Sequence, residues 1–296
     1  MNCDPYESTS DDFSELAENP SPGIAVPRGT TIGGVEFFSG TLESATSVVL
    51  RSVGSDIACS FRLSNAYCLV EANKSPAYMK VLNGAGCTFP DGAPIAFLLN
   101  RATNRGAERV RGADLFRNVI EQGQALGVRH YFLGTTDVTL QMLTDKILSK
   151  YPRALIAGTY SPHYGTFSSA DIERYAELVR ASGADIVWIG LGSPKQDFVA
   201  QALSQAVQMP CVAVGAAFDF EAGVVREAPD WFQKFGMEWF FRLCQDPARL
   251  WRRYLFGNIQ FICIILLERR RSFTTLKRNK TSRRSVAFNE RGPSGE

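Results

Sequence analysis

The sequence predicts an α/β protein: a mostly parallel sheet with helices on both faces, followed by a helical C-terminal appendage. Three observations carry this reading. Short apolar runs at 57–63, 130–133, 154–156, 185–189 and 211–214 have strand character. Helical spacing alternates with them at 114–126, 138–148, 170–181 and 195–206. From residue 228 to 258 the β pattern disappears, and the chain becomes rich in Trp and Phe, with four arginines.

Each strand-like run has its own logic. Strand–helix–strand alternation requires parallel strands joined by crossover helices, so the sheet must be covered on both sides. Gly134, Gly158, Gly190 and Gly215 are read as following strands. Glycine at those points allows a sharp turn, or a close approach to a ligand, at the carboxyl edge of the sheet. Open α/β sheets bind ligands at that edge, so a nucleotide-like ligand is expected there. Residues 228–258 read as two or three short helices broken at Gly236 and Pro247.

Composition narrows the class. In 296 residues, 45% are hydrophobic and 21% charged, which are globular values and exclude wholesale disorder. The net charge of +2 hides an asymmetry. Residues 1–22 hold six acidic and no basic side chains, the reverse of a secretory leader. Residues 268–296 hold nine basic and three acidic ones. The expected divisions are a disordered acidic tail at 1–30, an α/β catalytic domain at 31–227, a helical appendage at 228–267 and a basic disordered tail at 268–296. The apolar stretch Ile259–Leu267 is too short to cross a bilayer, which takes about 20 residues. Seven cysteines with no CxxC read as reduced core residues of a cytoplasmic protein. No metal site is expected, because the two histidines have no cysteine partners and HExxH is absent. Asp219 and Glu221 are a weak acidic pair, and His163 lies on a loop near the ligand edge.

Four segments could carry chemistry. Asp91, in Phe-Pro-Asp-Gly-Ala-Pro, sits on a turn after a short strand, as a general base would; taken alone, the segment reads more simply as a plain turn or helix cap. Gly190-Leu-Gly-Ser-Pro-Lys-Gln196 looks like half of a phosphate loop, or like a capping box from Ser193 to Gln196. Arg109 and Arg111 could clamp a diphosphate, or simply face solvent. Arg242, Arg249, Arg252 and Arg253 lie among aromatics, as in an anion-binding or interfacial helix.

In order, Leu63-Ser-Asn-Ala-Tyr67, Pro90-Asp-Gly92, Arg109-Val-Arg-Gly112, Gly190–Gln196, Gly215-Ala-Ala-Phe-Asp-Phe220 and the Ala228–Arg249 stretch closely resemble the WecG/TagA/CpsF glycosyltransferases over residues 31–258. The resemblance implies a Rossmann-like fold whose appendage approaches the membrane. It implies an inverting transfer of a hexose, N-acetylmannosamine or a related sugar, from a UDP-sugar to a polyprenyl-diphosphate-linked glycan in bacterial surface polysaccharide synthesis. It implies Asp91 as the base, and Asn65, Arg109, Gln196, Arg242, Arg249 and Arg252 as substrate-binding residues. No cofactor or metal is called for. Many relatives carry Thr where this chain has Leu63, which removes a hydroxyl from the pocket.

The expected partners are therefore the UDP-sugar, the lipid-linked acceptor and an anionic membrane surface, with no nucleic acid and with a homo-oligomer left open. The expected location is the cytoplasm, peripheral on the inner face of the membrane, because a polybasic tail beside an apolar segment gives two-signal binding. Two other readings remain at this point. One is an NAD-dependent oxidoreductase, although GxGxxG is missing; the other is a non-catalytic, membrane-recruited nucleotide-binding protein.

Overall fold

The computed structural model describes residues 29–55, 57–103, 106–245, 247–248, 251 and 255–268. Arg249 and Arg252, and the two expected tails apart from Gly29, Thr30 and Glu268, lie outside them.

A six-stranded, all-parallel sheet forms the centre, as the alternation predicts. Its strands are β3 (Cys59–Ser64), β4 (Gly86–Pro90), β5 (Arg129–Gly134), β6 (Leu155–Tyr160), β7 (Ile186–Gly190) and β8 (Pro210–Ala213), in the order β4-β3-β8-β7-β5-β6. A small antiparallel hairpin, β1 (Thr30–Ile32) and β2 (Val35–Phe37), precedes it. The hairpin was not foreseen, since two three-residue strands leave no readable alternation.

Helices cover both faces. On one side lie α2 (Ala66–Lys74), α3 (Pro76–Leu82), α4 (Ala93–Thr103), α7 (Ser169–Ser182) and α8 (Lys195–Val207), around a core that includes Leu69, Tyr78, Leu99, Ile189 and Leu203. On the other lie α1 (Leu42–Ser52), α5 (Gly112–Leu126), α6 (Asp137–Lys150) and α9 (Ala217–Ala222), around Phe61, Phe116, Phe132, Trp188 and Phe218. Alternate strand residues feed the two cores: Val187 and Ile189 enter the first, Ile186 and Trp188 the second. Gly158 is a correction. It lies within β6 rather than after it, where a Cβ would come within 2.7 Å of the Tyr131 ring.

The two histidines separate cleanly. His130 is fully buried in β5 and accepts a hydrogen bond from Trp188 Nε1 at 3.1 Å; burial pushes its pKa down to about 4. Among the described cysteines, 59, 68, 87 and 211 are buried and in no disulfide, whereas Cys244 and Cys263 are exposed and correct the reading of a uniform core set.

Past α9 come α10 (Asp230–Lys234) and α11 (Glu238–Gln245), with the expected break at Gly236, and a further helix over 255–268. That last helix packs Phe261, Ile264 and Ile265 against the first core, and Gly33 N donates to Glu268 Oε2 at 2.8 Å. Its opposite side presents Leu255, Ile259, Ile262 and Leu266, each more than half exposed, at the spacing of one helical stripe. Among the described residues no helix is long and apolar enough to cross a membrane.

The first core also holds a polar knot. Arg62, 1% exposed on β3, donates from Nε to Thr88 Oγ1, from Nη1 to Ser60 Oγ and Val81 O, and from Nη2 to Gly84 O, at 2.7–3.1 Å. Its charge faces Asp197, which accepts from Tyr78 OH at 2.6 Å and whose carboxyl burial pushes up to about 7. Removing the guanidinium strands these acceptors and an uncompensated carboxylate. Arg62→Met is therefore expected to lose about 3–5 kcal/mol at pH 8, read as a lower urea midpoint; an unchanged midpoint would refute the assignment.

Candidate active site

Parallel pairing brings all the strand C-termini to one edge, and register decides what meets there. Leu63 lies opposite Phe89 and Ser64 opposite Pro90, so Asn65 and Asp91 leave the sheet side by side. Asp91 N donates to Ser64 O at 3.0 Å, and a Cβ on Gly92 would sit 3.4 Å from that of Asn65. Val110 N donates to Pro90 O at 2.9 Å, which draws Arg109 and Arg111 to the same edge. Leu63 itself is buried in the second core, so no hydroxyl enters the pocket from that position.

Asp91 makes no side-chain hydrogen bond among the described residues. Burial pushes its carboxyl up to about 6; Arg242, Arg109 and Arg111 pull it back, and Glu238 adds to the rise. Asn65 acts locally as the N-cap of α2, its Oδ1 accepting from Tyr67 N at 3.0 Å and Cys68 N at 3.3 Å. This use is visible in sequence as an Asn before a helical run.

Gln196 is 1% exposed and holds two loops together. Its Oε1 accepts from Gly192 N at 3.1 Å and Gly215 N at 3.0 Å, while Nε2 donates to Ser193 Oγ at 3.1 Å. The turns after the neighbouring strands β7 and β8 are thereby fixed to one side chain. Both glycines have positive φ, +79° and +61°, which favours glycine there. The expected capping box is not formed: Pro194 occupies the N-cap of α8 and no side chain caps it. Ser193 instead bonds the Gln196 side chain.

The arginines divide by partner. Arg111 is 7% exposed and spends its donors on carboxylates: Nη1 on Asp114, Nη2 on Glu227, and Nε on Glu238 at 2.8 Å. Arg117, which no local motif singles out, joins Glu221, Glu227 and Asp114. Burial works against the Glu227 charge, yet these two arginines hold it below the usual carboxylate range. Arg109 reaches Glu238 Oε2 at 3.1 Å. Arg242 lies with its guanidinium 5.0 Å from the Phe220 ring centroid.

Other candidates lie apart. Glu221 is ion-paired with Arg117, and among the described residues no group of three or more His, Cys, Asp or Glu side chains is placed to hold a metal. His163 follows β6, at the sheet edge opposite β4, roughly 24 Å away at strand spacing; its side chain is exposed and 4.0 Å from Asp171. It does not join Asp91.

The model of the glycosyl transferase WecG/TagA/CpsF family matches residues 30–275. The chain belongs to that family. It is 31% identical over 186 residues to the N-acetylglucosaminyldiphosphoundecaprenol N-acetyl-beta-D-mannosaminyltransferase of Bacillus spizizenii, covering 62% of this chain and 70% of the relative. It is 29% identical over 185 residues to the enzyme of the same name from Bacillus subtilis strain 168, at the same coverage. Membership in the WecG/TagA/CpsF family makes the chain a glycosyltransferase and sets aside both the oxidoreductase and the non-catalytic reading.

The Gln196 contacts yield a direct test. Gln196→Ala leaves two loop N–H groups without acceptors, and is expected to cost about 2–4 kcal/mol in urea unfolding. A loss below about 0.5 kcal/mol, the level of an ordinary surface change, would mean that the two loops are held by something else.

Proposed function

We propose that this glycosyltransferase moves a hexose, N-acetylmannosamine or a related sugar, from a UDP-sugar to a polyprenyl-diphosphate-linked glycan with inversion at the anomeric carbon. The observation that carries the reading is Asp91: a carboxyl without a side-chain hydrogen bond among the described residues, at the ligand edge of the sheet, with its pKa raised to about 6. A base poised near neutral pH suits proton removal from a sugar hydroxyl. Asp91 takes that proton as the acceptor oxygen attacks the anomeric carbon. The bond from that carbon to the β-phosphate oxygen breaks, and its electron pair leaves with UDP. The charge growing on the leaving diphosphate faces Arg109 and Arg242, with Arg249 and Arg252 assigned the same role by sequence. Asn65 and Gln196 shape the pocket floor through the loops they fix. The relatives' names, which specify a mannosaminyl group and an undecaprenol-linked acceptor, support the sugar and the acceptor class.

The lipid-linked acceptor calls for work at a bilayer. The exposed stripe Leu255, Ile259, Ile262 and Leu266, together with the exposed Trp231, Phe235 and Trp239, supports peripheral contact with an anionic membrane, and the basic residues after 268 add charge attraction.

Ionisation gives a signed prediction. The base form exists above the folded pKa, so transfer is expected to rise with pH through about 6. Asp91→Asn should bind the UDP-sugar normally, lose about 10²–10⁴ in rate and show no acid limb; wild-type turnover would refute the base. Because the folded pKa lies above the ordinary value, ionising Asp91 weakens the fold as pH rises from about 4 to about 6. Asp91→Asn should therefore be more stable at pH 8, by on the order of 1 kcal/mol.

The membrane contact is tested with vesicles. The full chain should bind anionic liposomes and be released by salt, each basic residue contributing about 1 kcal/mol. Arg249→Ala with Arg252→Ala should cut transfer without lowering the unfolding midpoint. Equal binding to neutral liposomes would remove the electrostatic part of the proposal.

A further inference from the structure

No residue of helix α11 is fully buried; Phe241, Arg242 and Leu243 are partly covered, so apolar burial is only part of why the helix rests on the α/β body. Its directional contacts are polar and few. Glu238, in its first turn, gives one oxygen to Arg111 Nε at 2.8 Å and the other to Arg109 Nη1 at 3.1 Å. Just before α11, a Cβ on Gly236 would come within 2.7 Å of that of Ala93, at the start of α4, so the chain passes close to the Asp91 turn.

The charge network shows what Glu238 adds. Arg109, Arg111 and Arg117 are paired with Asp114, Glu221, Glu227 and Glu238. Three of those carboxylates belong to the body or to the loop after α9; Glu238 is the one that α11 extends into the network. Its side chain is 21% exposed and that of Arg111 is 9% exposed, so the pair is partly desolvated and stronger than a solvent-facing one. Arg242 follows four residues later on the same helix face. Seating Glu238 therefore carries Arg242 to the Phe220 ring and to the Asp91 side of the site.

We propose that Glu238 is a positioning residue: by taking Arg109 and Arg111 together it seats α11 on the body and delivers Arg242 to the reacting groups. The proposal rests on the reading of Asp91 as the base. The Arg109–Glu238–Arg111 bridge is the latch of a helix that has no fully buried residue.

The test uses the full chain with two independent readouts. In the substrate-free protein, Glu238→Ala should speed amide hydrogen exchange across 238–245 by about tenfold or more, with exchange in β3, β7 and β8 unchanged. In transfer assays, Glu238→Ala and Arg242→Ala should each lower kcat, and the double variant should be little worse than Arg242→Ala alone. Glu238→Gln, which keeps the shape and one acceptor, should fall between wild type and Glu238→Ala in both readouts. If Glu238→Ala also loosens the strands, Glu238→Gln decides by the same two measurements. Unchanged exchange in 238–245 overturns the seating role. Additive losses in the double variant overturn the link to Arg242. The exchange result needs no turnover, so it survives or fails separately from the assignment of Asp91.

Discussion

The parallel register of β3 against β4 is the constraint on which the candidate site depends. With Ser64 opposite Pro90, the two strands end together, and Asp91 N closes onto Ser64 O. A one-residue slip would turn Asn65 and Asp91 to opposite faces of the sheet. The register is held from below by Leu63 and Phe89 in one core and by Arg62 in the other. Arg62 reaches across to Thr88 on β4 and to the carbonyls of Val81 and Gly84 in the connection between the strands. A buried cation with four acceptors is costly to desolvate, but it ties the turn before β4 to β3 more specifically than an aliphatic side chain could.

The other half of the edge is fixed differently. β7 and β8 end in glycine turns, which have no side chains with which to hold each other. Gln196 supplies the missing contact from the first turn of α8. Asp197, next in sequence, turns the opposite way, into the core toward Tyr78 and Arg62. Two adjacent residues thus connect the loops of one half of the sheet to the polar knot under the other half. Geometry at the ligand edge is therefore set from inside the protein, away from solvent screening.

Much of this was legible in the chain. The five strand runs and the helices after them appear where periodicity places them, because a sheet buried on both faces makes its strands short, apolar and distinct. Asp91, Asn65 and Arg109 come together as the motif order suggests. What was not legible depends on long-range contact. Arg62 reads as an ordinary charged residue within a strand, since three of its four acceptors, two of them backbone carbonyls, lie about 20 residues or more away. The Ser-x-x-Gln pattern at 193–196 reads as a capping box, but the amide of Gln196 has better partners across the sheet edge. Glu238 gives no local sign of its role, because Arg109 lies 129 residues earlier. The ion pairs between α11 and the body are long-range, and charge carries no period that a sequence window could detect.

The Asp91 carboxyl feels charges from both the body and α11. Burial alone would drive the carboxyl toward its neutral form, leaving a stronger base that is rarely ionised. Positive charge alone would hold it ionised and too weak to take a proton from an alcohol. In this structure burial is the larger influence, and Arg242 on α11 is the first cation to oppose it, ahead of Arg109 and Arg111 on the body. Glu238, from the same helix, works in the opposite sense. Helix α11 thus brings one charge of each sign to the carboxyl, and the balance places its pKa near 6 rather than at either extreme. A helix that contributed only arginines would bind a diphosphate more tightly while weakening the base beside it. On the proposed reading, pairing Arg242 with Glu238 one turn apart would let the same element face an anionic donor while keeping the Asp91 carboxyl basic.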